Sequence, residues 1–148
     1  MRVLHISASD TLSLRQKVLR PGRPFEKCIF INDNHEKTLH LGVIVDEDIV
    51  GIGSLFYTTT EKLCSTYTLQ IRGMATCPNY RKKGVGKMLL TYMIDYAINT
   101  NGSNMWCNAR ESAVGFYRRA GFLKIGQKFE IEGIGPHYLM SLDIGKLA

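Results

Sequence analysis

No two of the four cysteines (Cys28, Cys64, Cys77 and Cys107) stand at CxxC spacing. That excludes the common zinc frameworks and a dense disulfide scaffold, and it predicts isolated thiols in a reducing compartment. The four histidines are equally scattered, so no metal site is expected. No apolar run reaches the length of a bilayer span, and MRVLHISASD lacks the apolar segment of a signal peptide; the expected location is the cytoplasm. The chain has no GK[ST], which removes the P-loop, and no GxGxxG in a strand-to-helix turn, which removes the dinucleotide fingerprint. An arginine-rich tail, a zinc finger and an RNA-recognition signature are also missing, so a nucleic-acid-associated domain is a minor reading. There is no repeat, low-complexity run or linker. A chain of 148 residues, 45% hydrophobic, then reads as one domain over 1–148 with a real core.

What is present is positive charge gathered in one place. The formal net charge is +6, and Arg81, Lys82, Lys83 and Lys87 put four cations into one short loop. Such a cluster favours a local anion site.

In chain order, Arg2 to Ile6 reads as a first strand. Ser9 or Asp10 can cap a helix over Thr11 to Leu19, which stops at Pro21-Gly22. PGRPFE reads as an ordered loop or a short helical turn. Thr38 to Val45, the turn Asp46-Glu47-Asp48 and Ile49 to Tyr57 form a hairpin. Thr58 to Lys62 turns the chain into a third strand, Tyr67 to Thr76, where Gly73 predicts a bulge or a close backbone approach. Val85, Met88, Leu89, Tyr92, Met93 and Tyr96 make one apolar helical stripe, ended by Asn101-Gly102. Asn104 to Asn108 is a short strand. Ala113, Phe116, Tyr117 and Ala120 mark a second helix, closed by a left-handed Gly121 with Phe122 folded back on it. Phe122 to Glu130 and His137 to Asp143 are the last strands, joined by GIGP. The strand-helix-strand passage implies one parallel pair with a right-handed crossover.

The loop Arg81-Lys82-Lys83-Gly84-Val85-Gly86 follows a strand and opens a helix. A helix start presents unpaired N–H groups and partial positive charge, so it binds anions. Glycines 84 and 86 let the backbone come close to a ligand. Alone, the run also reads as a charged turn before a surface helix. One helix and one strand further on stands FYRRAGF, Phe116 to Phe122.

RxxGxG after a strand and a proline turn, with FYxxxGF at that distance, resembles the GNAT superfamily of N-acetyltransferases. The resemblance is carried by Leu69 to Phe122 and extends to the rest through the order of elements. It implies an α/β (α+β) acyl-CoA N-acyltransferase fold. The sheet would be mixed and mostly antiparallel, of six to seven strands flanked by helices, with central strands Tyr67–Thr76 and Asn104–Asn108 splayed apart. It implies acetyl-CoA as acyl donor, no metal, transfer to a primary amine in a ternary complex, and a homodimer. Met74, Ala75 and Thr76 would meet the acetyl and pantetheine groups. Arg81, Lys82, Lys83, Gly84, Val85, Gly86 and Lys87 would surround the pyrophosphate. Tyr117 matches the family tyrosine near the thioester sulfur.

Chemistry agrees with those placements. Acetyl transfer passes through an oxyanion, which a backbone N–H at Met74 would stabilise. The leaving thiolate gains from a proton, and the Tyr117 hydroxyl can supply it; the other reading of Tyr117 is a core aromatic. Many family members carry asparagine where this chain has Arg110, so Asn108 is either a pantetheine contact or a cap for the next turn. Glu130 and His137, on either side of GIGP, are both candidates for the base. Arg72 stands two residues before Met74 and is expected on the same strand face. Arg72 and Arg20 either hold an acidic group on the acceptor or pair with Glu130. The alternative function on the same fold is a non-catalytic acyl-CoA sensor.

Overall fold

The computed structural model describes residues 1–60, 62–63 and 68–147. Cys64, Tyr67 at the expected start of the third strand, and Glu61 in the expected Thr58–Lys62 turn lie outside the described residues.

Seven strands are present: β1 (Arg2–His5), β2 (Leu39–Val45), β3 (Asp48–Tyr57), β4 (Thr68–Thr76), β5 (Asn104–Arg110), β6 (Leu123–Ile131) and β7 (Gly135–Asp143). Their order along the sheet is β1-β2-β3-β4-β5-β7-β6. The helices are α1 (Leu12–Leu14), α2 (Val85–Asn99) and α3 (Val114–Arg119). The mixed sheet and the element order agree with the sequence reading. The chain divides into two compact units. Unit 1 is Met1–Phe56 with Arg72–Asp95, and unit 2 is Tyr57–Ile71 with Tyr96–Ala148.

In unit 1, β1, β2 and β3 pair antiparallel. Val45 pairs with Asp48, so the hairpin loop is two residues, Asp46 and Glu47, both left-handed at φ 47° and 73°. This handedness matches the strand twist. The first helix is capped by Ser7 rather than by Ser9 or Asp10. Asp10 N–H donates to Ser7 Oγ at 3.2 Å and Ser7 N–H donates to Asp10 Oδ2 at 3.1 Å, a reciprocal cap. After α1 the helix widens into a π turn over Arg15–Leu19, closed by Arg20 N–H on the Arg15 carbonyl at 2.9 Å. Leu14, Ile52 and Ala75 form a core joined by Ile6, Val18, Leu19, Ile49 and Cys77.

Glycines in β3 set how closely α2 lies on the strand. A Cβ on Gly51 would run into Val85, and one on Gly53 would fall 2.5 Å from Met74 Sδ and 2.7 Å from Met93 Cε. The fully buried residues of α2 are Val85, Leu89, Leu90, Met93 and Ala97, while Met88, Tyr92 and Tyr96 are only half-buried. The inner face is thus rotated from the expected stripe.

In unit 2, β5 pairs with β7 along all of Asn104–Arg110, two residues beyond its expected end. Its parallel ladder with β4 runs over three positions, Thr68–Asn104, Leu69–Met105 and Gln70–Trp106. β7 lies between β5 and β6. It begins at Gly135, so Pro136 is in the strand, facing Glu130; the β5 ladder ends at His137, and the missing proline N–H breaks no bond there. α3 closes as predicted. Gly121 is left-handed at φ 103° and Phe122 N–H donates to the Tyr117 carbonyl at 3.1 Å.

Candidate active site

In unit 1 the chain leaves β4 at Thr76 and reverses into α2. Cys77 N–H donates to the Val50 carbonyl at 2.8 Å, which ties the turn to β3. Pro78–Tyr80 make one 3-10 turn, Arg81 is extended, and Lys82 and Gly84 are left-handed at φ 61° and 83°. That conformation costs a non-glycine residue about 1–2 kcal/mol, so Lys82 is held there by the turn around it. Gly84 accepts from Met88 N–H at 2.9 Å and so opens the helix. The N–H groups of Val85, Gly86 and Lys87 then have no acceptor inside α2. Its first turn holds no acidic side chain. Arg81, Lys82, Lys83 and Lys87 are all exposed, with Lys83 Nζ 5.3 Å from the Tyr80 ring centre. Free N–H groups, the positive helix end and four cations make this turn an anion-binding element.

Just before it stand Met74, Ala75 and Thr76. Ala75 packs into the core with Leu14 and Ile52. Met74 lies on the α2 side of β4, against the position of Gly53 and near Met93. Arg72 does not share that face. Its guanidinium carbon is 4.3 Å from the Phe30 ring centre and 5.7 Å from that of Phe56. Gly73 is left-handed at φ 68°, and a Cβ there would sit 3.0 Å from the Phe30 ring. That left-handed residue reverses the alternation that the sequence reading assumed between Arg72 and Met74.

The same face holds a polar network that sequence reasoning missed. Arg15, 1% exposed, donates from Nη1 and Nη2 to both carboxylate oxygens of Asp33 at 2.6 and 3.0 Å. It also donates to the Cys28 carbonyl at 3.0 Å and to Ser54 Oγ at 3.3 Å. His40 Nε2 donates to the Asp33 carbonyl at 2.7 Å, so in the neutral ring Nδ1 accepts the Ser54 hydroxyl at 2.6 Å. Arg15 Nε is buried and has no partner among the described residues. An orphaned buried donor costs about 1–3 kcal/mol. Arg20 donates to the Lys27 carbonyl at 2.6 Å and lies 5.5 Å from the Phe30 ring centre. Burial, then the charges of Arg15 and Arg20, push the Arg72 guanidinium below its ordinary value, and Asp33 opposes them. Neither Arg20 nor Arg72 pairs with Glu130 among the described residues, which disposes of that alternative. The partners of Arg15 lie 13 to 39 residues from it, so no local pattern announces them.

In unit 2, Tyr117 is 7% exposed, with Phe116 and Phe122 edge-on at 5.1 and 5.4 Å between ring centres. Its hydroxyl and the Cys107 thiol of β5 influence each other's ionisation. Burial first, and Cys107 second, push the phenol well above its usual range. Burial pushes the Cys107 thiol up to about 12, with the Tyr117 contact opposing it. Both are protonated at neutral pH, so Tyr117 can donate and Cys107 is no nucleophile. His137 is buried, and its Nδ1 lies 2.8 Å from the Gly135 carbonyl. A carbonyl only accepts, so Nδ1 carries the hydrogen and Nε2 of the neutral ring keeps its lone pair. Glu130 is exposed on β6 and Glu132 is exposed in the turn. Asn108 is exposed inside β5, paired with Leu139, and so does not serve as a cap. No group of three or more metal-ligating side chains occurs among the described residues, and no described helix is long and apolar enough to cross a membrane.

Residues 7–122, most of the chain, match the model of the acetyltransferase (GNAT) family. The chain belongs to the GNAT acetyltransferase family. It is an acetyl-CoA-dependent N-acyltransferase. Among GNAT relatives it is 33% identical over 140 residues to a Bacillus subtilis (strain 168) protein named uncharacterized N-acetyltransferase YitI. That match covers 95% of this chain and 94% of the relative. The fold is also that of Escherichia coli ElaA, with a TM-score of 0.77 at 16% identity, over 96% of this chain and 99% of that one. A third GNAT protein, an aminoglycoside 6'-N-acetyltransferase complexed with coenzyme A, superposes with a TM-score of 0.72 at 10% identity, over 97% of each chain.

Proposed function

We propose that this protein moves an acetyl group from acetyl-CoA directly to a primary amine, with donor and acceptor bound together. The observation that carries the donor half is the turn into α2, with three free N–H groups, a left-handed lysine and no acid in the first helical turn. In this reading Arg81, Lys82, Lys83, Gly84, Val85, Gly86 and Lys87 hold the pyrophosphate. The main chains of Met74, Ala75 and Thr76 bond the acetyl carbonyl and the pantetheine amides. The three-position β4–β5 ladder supports this, because the main chain of β4 beyond Gln70 lies outside it. The exposed Asn108 adds a pantetheine contact.

The amine nitrogen attacks the thioester carbon and the carbonyl oxygen becomes an oxyanion, bonded by the Met74 N–H. Collapse breaks the C–S bond. Tyr117 donates to the leaving sulfur, and the proton released from the amine goes to Nε2 of His137. Glu130, exposed on β6, is the second candidate for that proton. The 148 residues act as one acetyltransferase domain, since the family match crosses both units. A cytoplasmic location accords with the free thiols of Cys28, Cys77 and Cys107.

Saturating acetyl-CoA should raise the melting temperature, because a ligand of the native state stabilises it. Lys82→Asn keeps a residue tolerant of the left-handed conformation but removes the charge. It should weaken that effect while leaving the ligand-free melting temperature nearly unchanged. No shift with acetyl-CoA would sink the reading.

A further inference from the structure

The Phe30 side of unit 1 gathers three guanidinium groups around one ring. Arg15, Arg72 and Arg20 lie 3.8, 4.3 and 5.5 Å from the Phe30 ring centre. Like charges repel, so such a cluster stands only if carboxylates balance it. Among the described residues Asp33 is the one acid that acts on Arg72, and both of its oxygens are taken by Arg15. Arg20 spends one N–H on the Lys27 carbonyl. The Arg72 guanidinium makes no ion pair or hydrogen bond among the described residues; it only stacks on Phe30 and Phe56. Arg15 Nε is an orphaned donor beside Gly73, where a Cβ would lie 3.4 Å from it. Two positive charges and several N–H donors are thus left for a partner that the described residues do not supply.

We infer that this cluster binds the carboxylate of the acceptor, which makes the acceptor an amino acid or another small amine bearing a carboxylate. The inference rests on the acetyl-transfer reading above. Arg72 carries the ion pair, because its planar fork matches a carboxylate. Arg20 adds the second charge and Phe30 holds both guanidiniums flat. The left-handed Gly73 turns Arg72 away from the face where Met74 lies, so the acceptor carboxylate and the acetyl-binding main chain use opposite sides of one strand. Direct transfer needs two ligands at once, and this arrangement keeps their binding groups apart. A polycationic acceptor would meet repulsion here.

The test compares amino acids with the amines formed by their decarboxylation, such as lysine against cadaverine, by thiol release from acetyl-CoA. The expected result is at least a tenfold higher kcat/KM for the carboxylate-bearing member. Arg72→Gln should raise its KM about tenfold with the KM for acetyl-CoA unchanged, and Arg72→Lys should recover part of the loss. Arg20→Gln should act in the same direction and less. The same pairs, added with acetyl-CoA, are followed by thermal shift, so that binding is read without turnover. Equal rates, preference for the decarboxylated amine, or no stabilisation by any carboxylate-bearing member would overturn the acceptor assignment while acetyl-CoA binding stood. Loss of acetyl-CoA binding itself would instead take down the reading on which it rests.

Discussion

The buried hydroxyl of Tyr117, on α3, and the buried thiol of Cys107, on β5, act on each other's ionisation inside unit 2. Burial denies both groups their ionised forms. A proton donor that must stay protonated until a thiolate leaves is well served by such a setting.

That pair gives an alkaline limit to stability. The folded Cys107 thiol is raised from 9.0 to about 12, and the Tyr117 phenol is raised well above 10.0. Raised groups favour the folded state below their ordinary values and lose that advantage as pH climbs toward the folded ones. Unfolding free energy should therefore fall from about pH 9 upward. Cys107→Ala should flatten the fall, as read by urea denaturation at pH 8, 9 and 10. An identical slope in the variant would remove Cys107 as its source.

Tyr117→Phe keeps the ring against Phe116 and Phe122 and removes the proton. We expect kcat to drop by about a hundredfold. The acetyl-CoA dissociation constant should move less than threefold. An unchanged kcat would show that the leaving sulfur finds its proton elsewhere.

Asp33→Ala strands Arg15 in the core without its carboxylate. A broken buried pair costs about 3–5 kcal/mol, to be measured by denaturant unfolding. Because Arg72 already suffers from Arg15 and Arg20, removing its charge in the same chain should return part of that loss. The double variant Asp33→Ala/Arg72→Gln is thus expected to be more stable than the sum of the single changes. Additivity would mean the three arginines do not feel one another.

Gly51→Ala places a methyl group into Val85 at the first turn of α2. Overpacking of this kind costs about 1–3 kcal/mol. Since Val85 begins the helix whose N–H groups are assigned to the pyrophosphate, acetyl-CoA should bind more weakly too. Calorimetry of ligand-free and ligand-bound protein separates the two effects; a loss of stability with affinity intact would show that the helix start does not move.

Most of the fold was legible because its signals are local. Runs of β-branched and apolar residues in β2 and β3, Gly121 after α3, and the glycines at 84 and 86 each announce their geometry within a few positions. Strand ends were misjudged by one or two residues, and the inner face of α2 was placed around Met88 and Tyr92 rather than Leu90 and Ala97. Aromatic and methionine side chains are large enough to remain half in solvent, whereas Ala97 disappears completely. The phosphate turn could be read for the same local reason. The Arg15–Asp33–Ser54–His40 network could not, because its members come from the π turn, a loop and two strands. The side of Arg72 was missed for another reason. Alternation is counted from the sequence, and one left-handed glycine resets the count.

Gly73 also bears on how such an enzyme can change over generations. Its left-handed turn separates the two roles proposed along one strand, so position 72 can be altered to suit a new amine without disturbing position 74, the one assigned to the acyl group. A lineage carrying this glycine can diversify its acceptors while inheriting its donor unchanged.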